Sequence, residues 1–153
     1  MNLKNVLSIC LALLCLPTLY SQDLIGWATQ NGGTTGGAGG TTVTVTTRSE
    51  LYTYAGSPAP YIIQVQDTIE LDLYEMIEVQ GNKTIVGLDE DAAIRYGGLQ
   101  IRGNNVIIQN LEIFDSYDGD WGGTTHSTDG ITVYGAKNVW IDHCWIHLCA
   151  DGA

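Results

Sequence analysis

The chain has 153 residues, 44% of them hydrophobic and 15% charged, which excludes a disordered or collagen-like protein and allows one domain or part of one. Acidic residues outnumber Lys and Arg by 17 to 6, giving a formal net charge of −11. This balance excludes the electrostatic footprint that nucleic acid or an anionic membrane requires. A polyanionic substrate would need something other than side-chain charge to bridge it to the protein.

The N-terminus predicts a secretory signal peptide over residues 1–21. Lys4 supplies the charged start, the run Val6–Leu16 is apolar apart from Ser8, and Pro17, Thr18 and Ser21 supply the small or polar residues that follow. The apolar run is shorter than the ~20 residues that a membrane span needs. We therefore expect a secreted, extracellular protein with no membrane partner.

Cleavage of that signal leaves Cys144 and Cys149 as the remaining cysteines. Five residues of extended chain separate the Cα atoms of these two cysteines by ~16 Å, which is too far for a disulfide unless the strand turns between them. The spacing favours two buried free thiols.

Residues 22–60 are predicted to form an N-terminal segment with a Gly-rich loop, and residues 61–153 a separate, partial β domain. Within the first, Asn31–Gly40 has the composition of a low-complexity linker. The β-branched run Thr41–Thr47 predicts a strand, and Ser49–Ala55 predicts one helical turn.

From Tyr61 onward the sequence consists of short β-type runs that resemble one another. The predicted strands are Tyr61–Val65, Thr84–Leu88, Leu99–Ile101, Val106–Ile108, Ile131–Val133 and Val139–Ile141. Residues 105–113 align with 138–146 at an offset of 33, 99–101 with 131–133 at 32, and 81–86 with 103–108 at 22. Similar segments at recurring offsets indicate stacked coils whose loops vary in length. We predict an all-β fold, a right-handed parallel β-helix.

The apolar alternation changes phase at Asn110 and again at His143, one repeat later. A left-handed residue would turn the chain at such a point, and Asn tolerates that conformation better than most residues. We expect Asn110 and His143 to stack as a polar corner. This equivalence favours a structural His143 over a general base or metal ligand.

Asp129 and Asp151 are the candidate metal ligands. They are 22 residues apart, so coils of that length place them at nearly the same point on adjacent rungs, ~4.8 Å apart. Two ionised carboxylates that close repel unless a cation lies between them, and Asp oxygens suit Ca²⁺. The alternative is a pair of solvated turn residues.

Several tryptophans offer flat faces on which a sugar could stack. Trp140 shares an outward parity with Asp142 and is the best candidate for substrate binding, ahead of Trp121 and Trp145. Trp27 lies in the N-terminal segment and is expected to pack.

Taken together, these stretches resemble the family 1 pectate lyases, which are secreted β-helix enzymes, over Gly26 to Gly152. The matching motifs are Gly26-Trp27-Ala28, NGGTTGGAGGTTVTVTT at 31–47, NKTIVGL at 82–88, GLQIRGNNVIIQNL at 98–111, Thr128-Asp129-Gly130-Ile131, NVWIDHC at 138–144 and Asp151-Gly152. Their order and spacing are more specific than any one of them.

The resemblance implies Ca²⁺-dependent β-elimination on polygalacturonate or pectin by a monomeric enzyme. Asp129 matches the family's aspartate before a strand, and Asp151 the acid that opens an Asp-Gly-x-x-Asp element. The second acid of that element is due at position 155, and the family's catalytic Arg lies in a later Arg-x-Pro segment, both beyond Ala153. No catalytic residue is therefore assigned within the chain, and we expect residues 1–153 alone to be inactive.

Two alternatives stay open. The first is a polygalacturonase, a class of enzyme that shares the fold. Its family contains an Asn-Thr-Asp-Gly-like element, which Ser127-Thr128-Asp129-Gly130 resembles. That family has paired aspartates on the next coil, however, where this chain has Ala150-Asp151. A non-catalytic, pectin-binding β-helix is the other alternative.

Overall fold

The computed structural model describes residues 24–117, 119 and 128–150. The predicted signal peptide and the residues Trp121, Ser127 and Asp151 lie outside this part of the chain. Within it, no helix is long and apolar enough to cross a membrane.

Twelve strands and one α-helix are present among the described residues. A 3₁₀ segment at Gly26–Gly32 and helix α1 (Arg48–Ala55) accompany the strands. The strands are β1 (Thr41–Val45), β2 (Tyr61–Val65), β3 (Thr68–Glu70), β4 (Met76–Val79), β5 (Lys83–Gly87), β6 (Ala93–Arg95), β7 (Gly98–Ile101), β8 (Val106–Gln109), β9 (Glu112–Phe114), β10 (Ile131–Val133), β11 (Val139–Asp142) and β12 (Trp145–His147).

The strands form three parallel sheets, of order β1-β2-β5-β8-β11, β10-β7-β4 and β12-β9-β6-β3. From β4 onward, each successive group of three strands contributes one strand to each sheet, so the chain winds in coils that stack on one another. This is the predicted right-handed parallel β-helix. Strand β1 pairs with β2 in parallel register, so the sheet already begins in the N-terminal segment.

Columns of aliphatic side chains fill the interior. In the five-stranded sheet, Ile63, Ile85 and Ile108 are paired in register and each is fully buried. Full burial of such a side chain is worth roughly 1.5–3 kcal/mol, so every coil contributes to holding its neighbours. Period-two alternation of the sequence predicts which residues occupy these columns.

The polar corner is confirmed. Asn110 and His143 both have φ of 51°, and the Asn110 amide donates to the carbonyl of Asp142 on the next coil at 3.2 Å. The chain turns at both points from the five-stranded sheet into the four-stranded sheet. Cys144 and Cys149 are free thiols, as predicted, but they are half-buried and not fully buried as expected.

One predicted offset is wrong by a residue. Asn82 lies next to Asn105, and Thr84 is paired with Ile107, so this repeat is 23 residues long and not 22. The Asn105 side chain donates to Asn82 Oδ1 at 2.8 Å, and both residues have positive φ, near 60°. Matching of these two left-handed residues sets the register, and Asn104 is the additional residue.

The Gly-rich run at 31–40 is packed against the coils and is not a linker. A Cβ atom at Gly36 would lie 2.2 Å from Thr84 Oγ1, and one at Gly37 would lie 1.9 Å from the Tyr61 carbonyl oxygen. The Gly37 amide also donates to Thr84 Oγ1 at 3.0 Å. These glycines allow the backbone to lie directly on the outer face of the five-stranded sheet.

Asn105 holds this loop in place. Its Oδ1 accepts from the amides of Thr35 at 2.7 Å and Gly36 at 2.9 Å, and its amide nitrogen donates to the Gly36 carbonyl at 3.2 Å. One side chain therefore joins the loop to the coil.

We expect Asn105→Ala to release residues 34–37 from the sheet. At about 1 kcal/mol for each hydrogen bond, amide exchange at Thr35 and Gly36 should accelerate by at least about tenfold, measured by hydrogen–deuterium exchange. Asn105→Asp keeps the acceptor and the tolerance of positive φ, so it should retain most of the protection at these two amides. Equal exchange in wild type and Asn105→Ala would contradict this role.

Helix α1 is a full two turns, longer than the single turn predicted. Thr47 and Glu50 form a capping box, and the Arg48 guanidinium donates to both carboxylate oxygens of Glu75, at 2.6 and 2.8 Å. The ion pair fixes the start of the helix beside the turn that leads into β4. The Gln80 amide donates to the Ala55 carbonyl at 2.9 Å and fixes its end.

Candidate functional site

Asp129 lies two residues before Ile131, the first residue of β10, which is the edge strand of the three-stranded sheet. Its half-buried carboxylate accepts a hydrogen bond from the Thr132 hydroxyl. Gly98 on the neighbouring strand makes this placement possible, because a Cβ atom there would lie 2.3 Å from the Asp129 carbonyl oxygen. The close approach of two backbones thus sets the position of this acid.

The residue before Asp129 anchors it to two other coils. Thr128 is buried, and its carbonyl accepts from Ser116 Oγ at 3.0 Å and from the Ala150 amide at 3.3 Å. Ala150 is therefore the neighbour of Thr128 at an offset of 22, the spacing predicted for the two aspartates. Asp151 itself lies outside the described residues, so its pairing with Asp129 stays a prediction.

The donors at this point suit a hard cation but do not complete a site. The Asp129 carboxylate is an oxygen ligand of the kind that Ca²⁺ prefers, and the Thr132 hydroxyl donates a hydrogen bond to it. Ca²⁺ takes roughly six to eight oxygens, and the described part of the chain contains no cluster of three or more His, Cys, Asp or Glu that could hold a metal. Asp129 fits the role of one ligand among several.

A row of polar side chains continues from Asp129 across the outer face of the same sheet. Thr132, Gln100 and Glu78 are paired in register on β10, β7 and β4, while both sequence neighbours of Gln100 and of Glu78 are buried in the core. Arg102 Nε donates to Gln100 Oε1 at 2.9 Å and lies 3.4 Å from Glu78 Oε1. Its guanidinium stacks on the ring of Tyr134 at 4.4 Å.

Sequence reasoning missed this row. Glu78 and Gln100 carry the same offset of 22 that marks the repeat, and Gln100 and Thr132 the offset of 32. The repeat offsets therefore predict this row, once they are applied to polar residues as well as to the apolar ones.

The structure separates the predicted sugar platform from the predicted metal ligand. Trp140 is half-buried on β11 of the five-stranded sheet, in register with Ile107, whereas Asp129 belongs to the three-stranded sheet. Trp145 is more exposed, at 64%, and Trp27, which was expected to pack, is 89% exposed.

His143 behaves as the corner residue that its equivalence to Asn110 predicts. Its Nδ1 lies 2.8 Å from Asp142 Oδ1, and its side chain is exposed. His147, on the next strand, contacts Glu112 through Nε2 at 2.7 Å and stacks on Trp145 with ring centroids 4.3 Å apart. Both pairs lie on the four-stranded sheet or at its corner, away from Asp129.

Comparison with known proteins gives a consistent result. A family model described as pectate lyase matches residues 2–150. The pectate trisaccharide-lyase of Thermotoga maritima is 41% identical over 123 residues, covering 79% of this chain and 33% of that protein. A pectate lyase of Emericella nidulans is 42% identical over 120 residues, covering 78% of this chain and 34% of that protein.

Solved structures match as well. A Bacillus sp. pectate lyase in complex with trigalacturonate is 28% identical with a TM-score of 0.66, over 82% of this chain and 43% of that one. A pectate lyase bound to a hexasaccharide is 26% identical with a TM-score of 0.67, over 79% of this chain and 47% of that one. This chain spans about a third of the length of the curated relatives named above.

Proposed function

The chain belongs to the pectate lyase family, and from this premise we propose that it carries part of the polysaccharide-binding surface of a secreted, Ca²⁺-dependent pectate lyase. The substrate is polygalacturonate, bound along the outer face of the three-stranded sheet. The observation that carries the proposal is the position of Asp129, held at the start of β10 by contacts with two other coils.

Charge supports a role for calcium. The chain has a net charge of −11, and polygalacturonate is also an anion, so direct association is electrostatically unfavourable. Ca²⁺ held by protein carboxylates would supply positive charge beside a uronate carboxylate, and this charge would increase the acidity of the adjacent C5 proton. Asp129 and Asp151 are the residues that we propose to hold it.

The chain's own residues orient the ligand carboxylate. The Thr132 hydroxyl donates to Asp129, which fixes the rotamer of the carboxylate. The Ser116 hydroxyl and the Ala150 amide hold the Thr128 carbonyl and so the backbone on which Asp129 is mounted.

The base that removes the C5 proton is not assigned to an Arg of the described residues. Arg48 and Arg95 are engaged by acids away from Asp129, and Arg102 is engaged by Gln100 and Glu78. The family resemblance assigns this base to an Arg in an Arg-x-Pro segment, and residues 1–153 contain no such segment. Secretion and a monomeric state are part of the same proposal.

The test is the calcium dependence of ligand binding to the whole chain. We expect trigalacturonate to bind in the presence of Ca²⁺ and to lose at least about tenfold in affinity in EGTA, measured by isothermal titration calorimetry. Mg²⁺ at the same ionic strength is the control, because it separates coordination from screening. Equal affinities in Ca²⁺, Mg²⁺ and EGTA would contradict the proposal.

A further inference from the structure

A cavity of about 680 Å³ lies on the same sheet face as Asp129, at the opposite edge of the three-stranded sheet. It is the space between α1 and the outward side chains of β4. The lining residues are Tyr52, Thr53, Gly56, Ser57, Met76, Glu78 and Gln80. We refer to it as the α1–β4 pocket.

The walls of this pocket are fixed by contacts that hold α1 to the coils. The bidentate ion pair of Arg48 with Glu75 fixes the start of the helix, and the Gln80 amide holds the Ala55 carbonyl. The buried ammonium of Lys83 donates to the carbonyl of Ser57, which lines the pocket, at 2.8 Å. The pocket is therefore preformed, which lowers the entropic cost of binding.

The pocket is within reach of a short oligosaccharide bound at Asp129. Glu78 lies on the second strand from β10, roughly 10 Å across the sheet and roughly 10 Å along the strand direction from Asp129. The row Glu78, Gln100 and Thr132 forms a continuous polar floor between the two points.

The lining chemistry selects against a free uronate. None of the described residues that line the pocket is Lys, Arg or His, and the one ionised side chain is the carboxylate of Glu78. Arg102 is adjacent, but its guanidinium already faces Glu78 and Gln100. A second carboxylate brought to Glu78 would be repelled, because no uncommitted cation accompanies it.

The same lining suits a neutral, methyl-esterified sugar. Tyr52 is 60% exposed and presents an aromatic ring, and Met76 adds a flexible apolar surface. Thr53, Ser57 and Gln80 supply hydrogen-bonding groups for sugar hydroxyls.

We propose that the α1–β4 pocket is a subsite for a methyl-esterified galacturonate residue, at the far end of the surface that binds free uronate through calcium. The inference rests on the proposed function and extends it to substrate specificity: the protein recognises partially esterified pectin, with an acid at Asp129 and an ester beside α1.

The test compares two ligands, fully methyl-esterified trigalacturonate and unesterified trigalacturonate, by isothermal titration calorimetry on the whole chain. We expect the ester to bind wild type without calcium and to lose about tenfold in affinity in Tyr52→Ala, while Tyr52→Phe retains the affinity. Met76→Lys adds a cation to the pocket and should shift the ester-to-acid affinity ratio towards the acid by about tenfold. Circular dichroism checks that each variant is folded.

Three results would overturn the pocket assignment: no binding of the ester to wild type, equal losses for both ligands in Tyr52→Ala, or an unchanged ratio in Met76→Lys. The proposed function fails independently, because it predicts calcium-dependent binding of the unesterified ligand. Ester binding that persists while the acid shows no calcium dependence would refute the calcium site and leave the pocket assignment supported.

Discussion

Replacement of Asp129 by Asn is expected to abolish the calcium-dependent part of the affinity for trigalacturonate. The substitution removes the charge and one strong oxygen ligand but keeps the size of the side chain and its bond to Thr132. Loss of a supporting group at a metal site already costs roughly 10–100-fold, so loss of a ligand should cost at least as much. The measurement is a titration of the variant in Ca²⁺ and in EGTA, where the two affinities should coincide.

Asp91→Asn is the matched control. Asp91 is an exposed turn residue between β5 and β6, and the substitution changes the net charge of the chain by the same amount. We expect its calcium dependence to equal that of wild type. A similar loss in both variants would mean that calcium acts only by reducing overall repulsion.

Replacement of Lys83 by Met is expected to produce the largest loss of stability of any substitution considered. The Lys83 side chain is fully buried at the start of β5, and its ammonium donates to the carbonyls of Ser57, Ala59 and Gly81, each at 2.8 Å. Burial lowers its pKa. Hydrogen bonds to charged groups are worth about 1.5–3 kcal/mol, and the variant leaves three carbonyls without their donor.

We expect a decrease of roughly 3 kcal/mol or more in the free energy of unfolding, measured by urea denaturation at neutral pH. Lys137→Met is the control, because Lys137 is an exposed turn residue with the same side chain. If both variants unfold at the same urea concentration, the three carbonyls are solvated adequately without the ammonium, and Lys83 does not hold α1 to the coils.

The fold could be predicted from the sequence because a β-helix repeats one local pattern. Strands Tyr61–Val65 and Ile131–Val133 were predicted with their observed bounds, and the offsets of 32 and 33 agree with the observed register. Alternation fixes which residues face inward, and the phase change at Asn110 marks the corner. The alternation and the phase change involve residues close in sequence, and the contacts between coils favour the same local structure.

The errors lie where a distant contact decides the local structure. Gly36 and Gly37 lie in a run whose composition is typical of a linker. Only the close approach of Thr84 and the Tyr61 carbonyl explains why both positions require Gly. Lys83 occupies an inward position that alternation assigns to an apolar residue, and two of its three acceptors, the carbonyls of Ser57 and Ala59, lie 26 and 24 residues earlier in the chain. No pattern within the neighbouring residues indicates these partners.

The placement of Asp129 could be predicted in part from the sequence, and its role as a metal ligand stays a prediction. Asp129 follows from its place before a strand, and the contact between Thr128 and Ala150 has the predicted offset of 22. The alternation of side chains along the strand predicts that Trp140 faces outward, but it does not predict which of the three sheets the strand joins. Trp140 therefore belongs to a different face from Asp129.

The most direct test of the account is to locate bound trigalacturonate on the protein. Amide chemical shifts, recorded with Ca²⁺ during a titration of the isotope-labelled chain, should change at Asp129, Thr132 and Gln100 on the three-stranded sheet. The same titration in EGTA should leave these three shifts largely unchanged. Changes confined to Glu112, Trp145 and the rest of the four-stranded sheet, or changes that do not depend on Ca²⁺, would contradict the assignment of this face as the substrate site.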